Sequence, residues 1–140
     1  MFVVVDSNRV FSALLSKGRV FTAFDANRLL DKFKFISPEF MLFEIERHKD
    51  DICERSKLSS EELDKVFSFI KEEIEFIPFD EFNMYTEEAS HLIPHPKDLQ
   101  YFSLALAFDC PIWSEEVAFK RQSKVKVFNT DELTKLLFSK

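Results

Sequence analysis

A chain of 140 residues, 46% of them hydrophobic and 18 of them phenylalanine, has apolar surface for one sizeable core and no length for two ordinary domains, so a single domain over residues 1–140 is expected. The single glycine, Gly18, excludes the glycine-rich phosphate cradles of Walker-type ATPases and dinucleotide-binding enzymes, whose loops need several positions where the backbone turns tightly or touches the ligand. The net charge of -6 opposes general nucleic-acid binding, but it is unevenly spread: residues 39–88 carry 16 acids against 6 bases, and residues 117–140 carry 6 bases against 2 acids.

No uninterrupted apolar run approaches the ~18 residues of a membrane-spanning helix. The opening Met-Phe-Val-Val-Val-Asp has neither the basic start nor the small-residue cleavage site of a signal peptide, so a cytoplasmic protein is expected. Cys53 and Cys110 stand far apart with no partner pattern and read as reduced, structural thiols.

Residues 2–5 are a short apolar run ending at Asp6, the pattern of a buried strand in a parallel sheet. A helix is expected over residues 9–16. After Gly18, residues 19–30 carry apolar residues at helical spacing: Val20, Phe21, Phe24 and Leu29 or Leu30. Residues 33–36 form the second strand. Ser37-Pro38 has the form of an N-cap followed by proline at the first helical position, so a helix carrying Phe40, Met41, Phe43, Glu44, Ile45 and His48 is expected to open there. Ser59 with Glu62 is a capping box ahead of Leu63, Val66, Phe67 and Ile70. Residues 74–78 give a third strand, Asp80 is expected to cap a helix running to Leu92, and the prolines at 94 and 96 punctuate the chain before the next element. From Asp98 onward, Tyr101, Phe102, Leu104, Ala105 and Phe108 spell a mostly apolar helix, covered on more than one side. Residues 111–114 and 125–128 are the fourth and fifth strands, and Asn129 with Glu132 caps a terminal helix through Leu137. Strands alternating with helices predict a three-layer α/β/α sandwich around a mostly parallel sheet of about five strands. In such folds ligands bind beyond the carboxyl ends of the strands, where the strand order reverses.

Four acids fall near that edge. Asp6 closes the first strand, Glu116 follows the fourth, Asp98 opens the helix feeding the fourth, and Glu44 shares a helical stripe with Phe40, Met41 and His48. Carboxylates converging on one pocket repel one another unless a cation shares the site. A hard divalent ion such as magnesium or manganese, which takes oxygen ligands and keeps several waters, is the natural occupant. The three histidines, at 48, 91 and 95, have no zinc-ligand spacing. Each acid also has a plainer reading: Asp6 and Asp98 as helix caps, Glu44 as the partner of Arg47 or His48, Glu116 as one more exposed acid beside Glu115. The basic stretch Lys120, Arg121, Lys124 and Lys126 suits a phosphodiester backbone, or is a solvated surface turn.

These residues also fall into four ordered motifs. They are Val5-Asp6-Ser7-Asn8, followed by a helix like Val10–Leu14; Ile36-Ser37-Pro38-Glu39-Phe40-Met41-Leu42-Phe43-Glu44-Ile45; Asp98-Leu99-Gln100-Tyr101-Phe102-Ser103-Leu104-Ala105-Leu106; and Ile112-Trp113-Ser114-Glu115-Glu116-Val117-Ala118-Phe119. In order and interval, over nearly the whole chain, they resemble the PIN-domain family, particularly its small archaeal and bacterial members of the VapC-toxin kind. The resemblance implies a PIN-like sandwich with magnesium or manganese at Asp6, Glu44, Asp98 and Glu116 as catalytic and metal-binding residues, and hydrolysis of RNA. It implies Ser7, Asn8 and Ser114 as groups that orient the carboxylates and their waters. Many members are toxins neutralised by a small antitoxin partner, and many form homodimers. Two positions depart from the pattern: Glu116 stands where aspartate is usual, with Glu115 able to substitute, and His95 stands where many relatives carry another acid.

The expected function is therefore a metal-dependent endoribonuclease in which Lys120, Arg121 or Lys124 holds the RNA backbone. The alternative is a catalytically weak or inactive module on the same scaffold that binds RNA or a protein partner. A phosphoaspartate receiver or haloacid-dehalogenase-like phosphatase also uses an acid after the first strand, but here the residue two beyond Asp6 is Asn8 rather than a second aspartate.

Overall fold

The structure, a computed structural model, describes residues 1–16 and 18–139. Five short strands, β1 (Phe2–Val5), β2 (Lys34–Pro38), β3 (Ile74–Ile77), β4 (Ile112–Trp113) and β5 (Val127–Phe128), form one sheet in the order β3-β2-β1-β4-β5. Every pairing is parallel. The helices between them are α1 (Ser7–Ser16), α2 (Arg19–Leu30), α3 (Phe40–Arg47), α4 (Lys49–Ser56), α5 (Ser60–Glu73), α6 (Thr86–Ser90), α7 (Leu99–Phe108) and α8 (Thr130–Leu137). This is the expected α/β/α arrangement.

The chain builds outward from β1 through β2 to β3, then returns to place β4 on the other side of β1. Right-handed crossovers in opposite directions put the intervening helices on opposite faces, which buries the sheet from both sides. Val3, Val4 and Val5 are accordingly all fully buried, which is why β1 reads as an unbroken apolar run. On one face Phe24 of α2 lies on Phe35 and Trp113, with centroids 5.2 and 5.1 Å apart, and the Trp113 indole donates to Thr130 Oγ1 of α8 at 3.1 Å. Each such aromatic contributes about 1.5–3 kcal/mol through burial. On the other face α7 rests on β1, β2 and β4, and its residues from Tyr101 to Ala105 are buried in succession, as an all-round apolar helix must be.

Two expectations fail. Ser37-Pro38 does not open a helix: both residues pair with β3 inside β2, and the fully buried Ser37 hydroxyl donates to the Val5 carbonyl at 2.6 Å, so α3 begins only at Phe40. Proline is tolerated there because the neighbouring Glu39 N–H makes the bond to Ile77, at 3.1 Å. Asp80 does not cap a helix to Leu92. Residues 79–85 form two 3-10 turns, Phe79–Glu81 and Asn83–Tyr85, and helical geometry starts at α6. Phe79 and Phe82 meet edge-on at 5.4 Å, a three-residue spacing that suits 3.0 residues per turn rather than 3.6. The helix expected to carry His48 ends at Arg47; His48 is the turn residue between it and α4, for which the sequence offered no separate signal.

Candidate active site

The strand order reverses between β1 and β4, and the first residue beyond β1 is Asp6. Its N–H continues the ladder to the Trp113 carbonyl at 3.2 Å, which holds the carboxylate at the rim of the sheet, 5% exposed. Ser114, one residue past β4, donates to Asp6 Oδ2 at 2.7 Å and accepts from the Glu116 N–H at 3.0 Å. The Asn8 N–H also donates to the Asp6 carboxylate. Asp6 is thus a helix cap for α1 and a member of the acidic cluster at once, and the two readings do not compete.

Asp98 closes a 3-10 turn, Pro96–Asp98, stapled by His95, whose Nδ1 accepts from the Lys97 N–H at 3.2 Å and whose carbonyl accepts from the Asp98 N–H at 2.9 Å. Asp98 occupies the N-cap position of α7 without making a cap bond, so its buried carboxyl is not consumed in ending the helix. Glu44, on α3, accepts from the Tyr101 hydroxyl of α7 at 2.6 Å, and Ser7 also hydrogen-bonds that hydroxyl. Asp6, Glu44 and Asp98 line one cleft of about 240 Å³, together with Ser7, Asn8 and Lys97.

The electrostatics are those of crowded negative charge. Burial, opposed by Ser114, Asn8 and Arg9, raises the carboxyl of Asp6 above its ordinary range, and Glu116 adds repulsion. Burial and then the Asp6 charge push Asp98 up to about 6. Burial also raises Glu44, although the Tyr101 bond pulls the other way. Burial, with the Glu44 charge beside it, drives the Tyr101 phenol far above its usual value, so it stays a neutral donor. A cation in this cleft would reverse each of these carboxyl shifts.

The acidic donors Asp6, Glu44 and Asp98 offer oxygen and suit magnesium or manganese; His48 is the one imidazole in the lining. Among the described residues, no three acidic, histidine or cysteine side chains close into a ready-made cage. An ion held by one or two carboxylates, with water and a substrate phosphate completing its shell, needs no such cage. Glu116 is exposed and does not line the cleft, yet its charge still raises Asp6 and Asp98. Glu115 cannot replace it in this arrangement: its Oε1 accepts from the Thr130 N–H at 2.9 Å at the start of α8 and faces Arg9 Nη1 at 3.7 Å. Burial alone would raise Glu115, but those partners outweigh it and hold the carboxyl low.

Of the basic residues expected to meet RNA, Lys120 is paired with Glu132 and Lys124 with Glu88, while exposed Arg121 has no ion-pair partner among the described residues. None of the three lines the cleft; Lys97 does. Sequence reasoning overlooked Lys97, although it adjoins Asp98, and overlooked Tyr101 because a tyrosine in an apolar helix reads as core. It also passed over Arg9, whose Nε is buried without a partner beside Asp6.

The sequence matches the family model described as the PIN domain over residues 4–137. A chain in the crystal structure of VapBC2 from Rickettsia felis, bound to a DNA fragment from its promoter, superposes with a TM-score of 0.69 at 19% sequence identity, covering 92% of this chain and 98% of that one. No curated protein matches the sequence.

Proposed function

The chain belongs to the PIN-domain family, and from that premise we propose that it is a divalent-metal-dependent ribonuclease, a single-domain endonuclease acting on RNA phosphodiester bonds. The observation that carries the proposal is the cleft in which Asp6, Glu44 and Asp98 are gathered from β1, α3 and α7 with their carboxyl groups raised. Three acids brought from distant parts of the chain and left short of compensating charge are costly to stability, and such cost is usual where function demands it. Asp6, Glu44 and Asp98, with Glu116 at the rim, would hold magnesium or manganese. That ion supplies Lewis-acid polarisation of the phosphate and a nucleophilic water at neutral pH.

The chain's own residues do the positioning. Ser114 and the Asn8 N–H fix the rotamer of Asp6, and Tyr101 fixes Glu44, so the carboxylates are oriented before substrate arrives. Lys97 offers a cation beside Asp98 for a phosphate oxygen, and Arg121, with Lys120 and Lys124 after exchanging their acidic partners, extends that role along the backbone.

The test is cleavage of single-stranded RNA in magnesium or manganese by the wild type, Asp6→Asn and Asp98→Asn. Loss of at least about a hundredfold in each variant is expected, on the order of the effect of removing metal ligands or their orienting groups, and activity that survives both changes ends the proposal. The VapBC2 likeness supports a toxin role with an antitoxin partner, and a homodimer is the proposed assembly. A short neighbouring reading frame whose product copurifies with this chain would support that role.

A second reading rests on the position of Glu116, outside the cleft and exposed, and on the open arrangement of the other three acids. On it the scaffold binds RNA or a protein without cutting, and the same assay would return RNA binding with no cleavage in either metal.

A further inference from the structure

A second and larger depression, of about 530 Å³, lies between α1 and α4. It shares Asn8, Phe11 and His48 with the acidic cleft, so the two adjoin across those three residues. At the junction the rings of Phe11 and His48 stand edge to face, 5.8 Å apart at 89°, with Phe11 only half-buried and His48 exposed. Leu15, Ile52 and Arg55 also line the groove. Among the described residues the Arg55 guanidinium has one ion-pair partner, Asp51, at 3.8 Å, with both side chains more than half exposed. A pair of that length and exposure contributes little and can be exchanged for another anion.

We propose that this groove is the subsite for the nucleotide next to the scissile phosphate of a single-stranded RNA, its base stacking at Phe11 and His48 and its next phosphate meeting Arg55. The inference rests on the ribonuclease reading for the direction of the strand. The groove's chemistry is independent of it: an apolar lining of Phe11, Leu15 and Ile52, the polar Asn8, and a weakly engaged cation, Arg55, beside Asp51. Single strands are recognised in this way, by aromatic faces for unstacked bases and cations for the backbone. A strand whose phosphate sits at Asp6 and Asp98 must continue somewhere, and this groove is the neighbour of that cleft across Asn8, Phe11 and His48. A duplex keeps its bases stacked inside and presents none to Phe11.

The experiment is fluorescence anisotropy of a labelled ten-nucleotide single-stranded RNA and of the matching duplex, in chelator so that no turnover occurs. Phe11→Leu, which keeps an apolar side chain and loses the aromatic face, should weaken single-strand binding about tenfold, the scale of one base–aromatic stack. Phe11→Tyr should bind as the wild type does. Arg55→Gln should weaken binding and flatten its salt dependence. Should Phe11→Leu fail to fold, His48→Ala and Arg55→Gln, both at exposed positions, carry the test. If these two bind the single strand as the wild type does, or if duplex binding falls in parallel, the subsite is overturned; a groove that receives an apolar protein segment would give the first of these results. Cleavage that survives Asp6→Asn and Asp98→Asn while strand binding still depends on Phe11 and Arg55 would remove the assignment of the acidic cleft as the nuclease site and leave the groove standing as a single-strand binding site.

Discussion

At the scale of single residues, Asp98 shows the cost of the cleft most directly. It is buried, raised to about 6 by desolvation and by Asp6, and spends no bond on capping α7. The native state therefore binds this proton up to about pH 6, whereas the unfolded chain releases it near the ordinary value of 3.8. Between those limits the native state holds more protons, so stability falls as pH rises through the window, and the full penalty is present above it. Asp98→Asn should make the metal-free protein about 1–2 kcal/mol more stable at pH 7, allowing for solvent on the cleft's open side, with the gap closing below pH ~4. Urea unfolding in chelator at the two pH values measures it, and a variant less stable than wild type at pH 7 would show that the carboxyl is compensated after all. Ser114 and Tyr101 make the complementary point, since each bonds one of the carboxylates yet lies far from it in sequence.

At the scale of elements, the capping boxes at Ser59/Glu62 and Asn129/Glu132 form as their spacing predicts, because each needs only the local chain. Ser37-Pro38 carries an equally local signal, yet it is overridden by a hydroxyl bond to β1 and a parallel ladder to β3. The helix ends are also unusual. With a single glycine in the sequence, α2, α4 and α7 terminate on Asp31, Lys57 and Asp109 in the left-handed region, at φ of 48°, 61° and 48°. Aspartate tolerates that conformation; lysine has no side-chain compensation for it. Lys57→Gly should therefore raise stability by about 0.5–1 kcal/mol, the relief of left-handed strain less the added entropy of the unfolded chain. Thermal or denaturant unfolding checks it, and a loss of stability would mean that the Lys57 side chain contributes packing that outweighs the strain.

At the scale of the whole molecule, the folded state brings the acidic positions near enough to repel one another, so a divalent cation should act as a stabilising ligand of the native fold. Manganese at about a hundredfold its dissociation constant should add about 2.7 kcal/mol and raise the melting temperature by several degrees, and Asp6→Asn should lose most of that gain. An unchanged melting temperature in the wild type would favour the non-catalytic reading. Among the described residues no helix is long and apolar enough to cross a membrane. The alternation of strands and helices, the burial of the valine run in β1 and the candidacy of Asp6, Glu44 and Asp98 were legible along the chain, because periodicity and motif order are local properties, whereas Glu116, expected beside them, stands exposed outside the cleft. Only the tertiary structure decided that Asp98 is free of a capping role, that Glu115 is committed to α8 and Arg9, that Lys97 stands at the cleft while Lys120 and Lys124 are paired elsewhere, and that Tyr101 is a partner of Glu44. Those outcomes turn on distances between residues tens of positions apart, which are set when the β1–β4 reversal closes the sheet and no window along the sequence contains them.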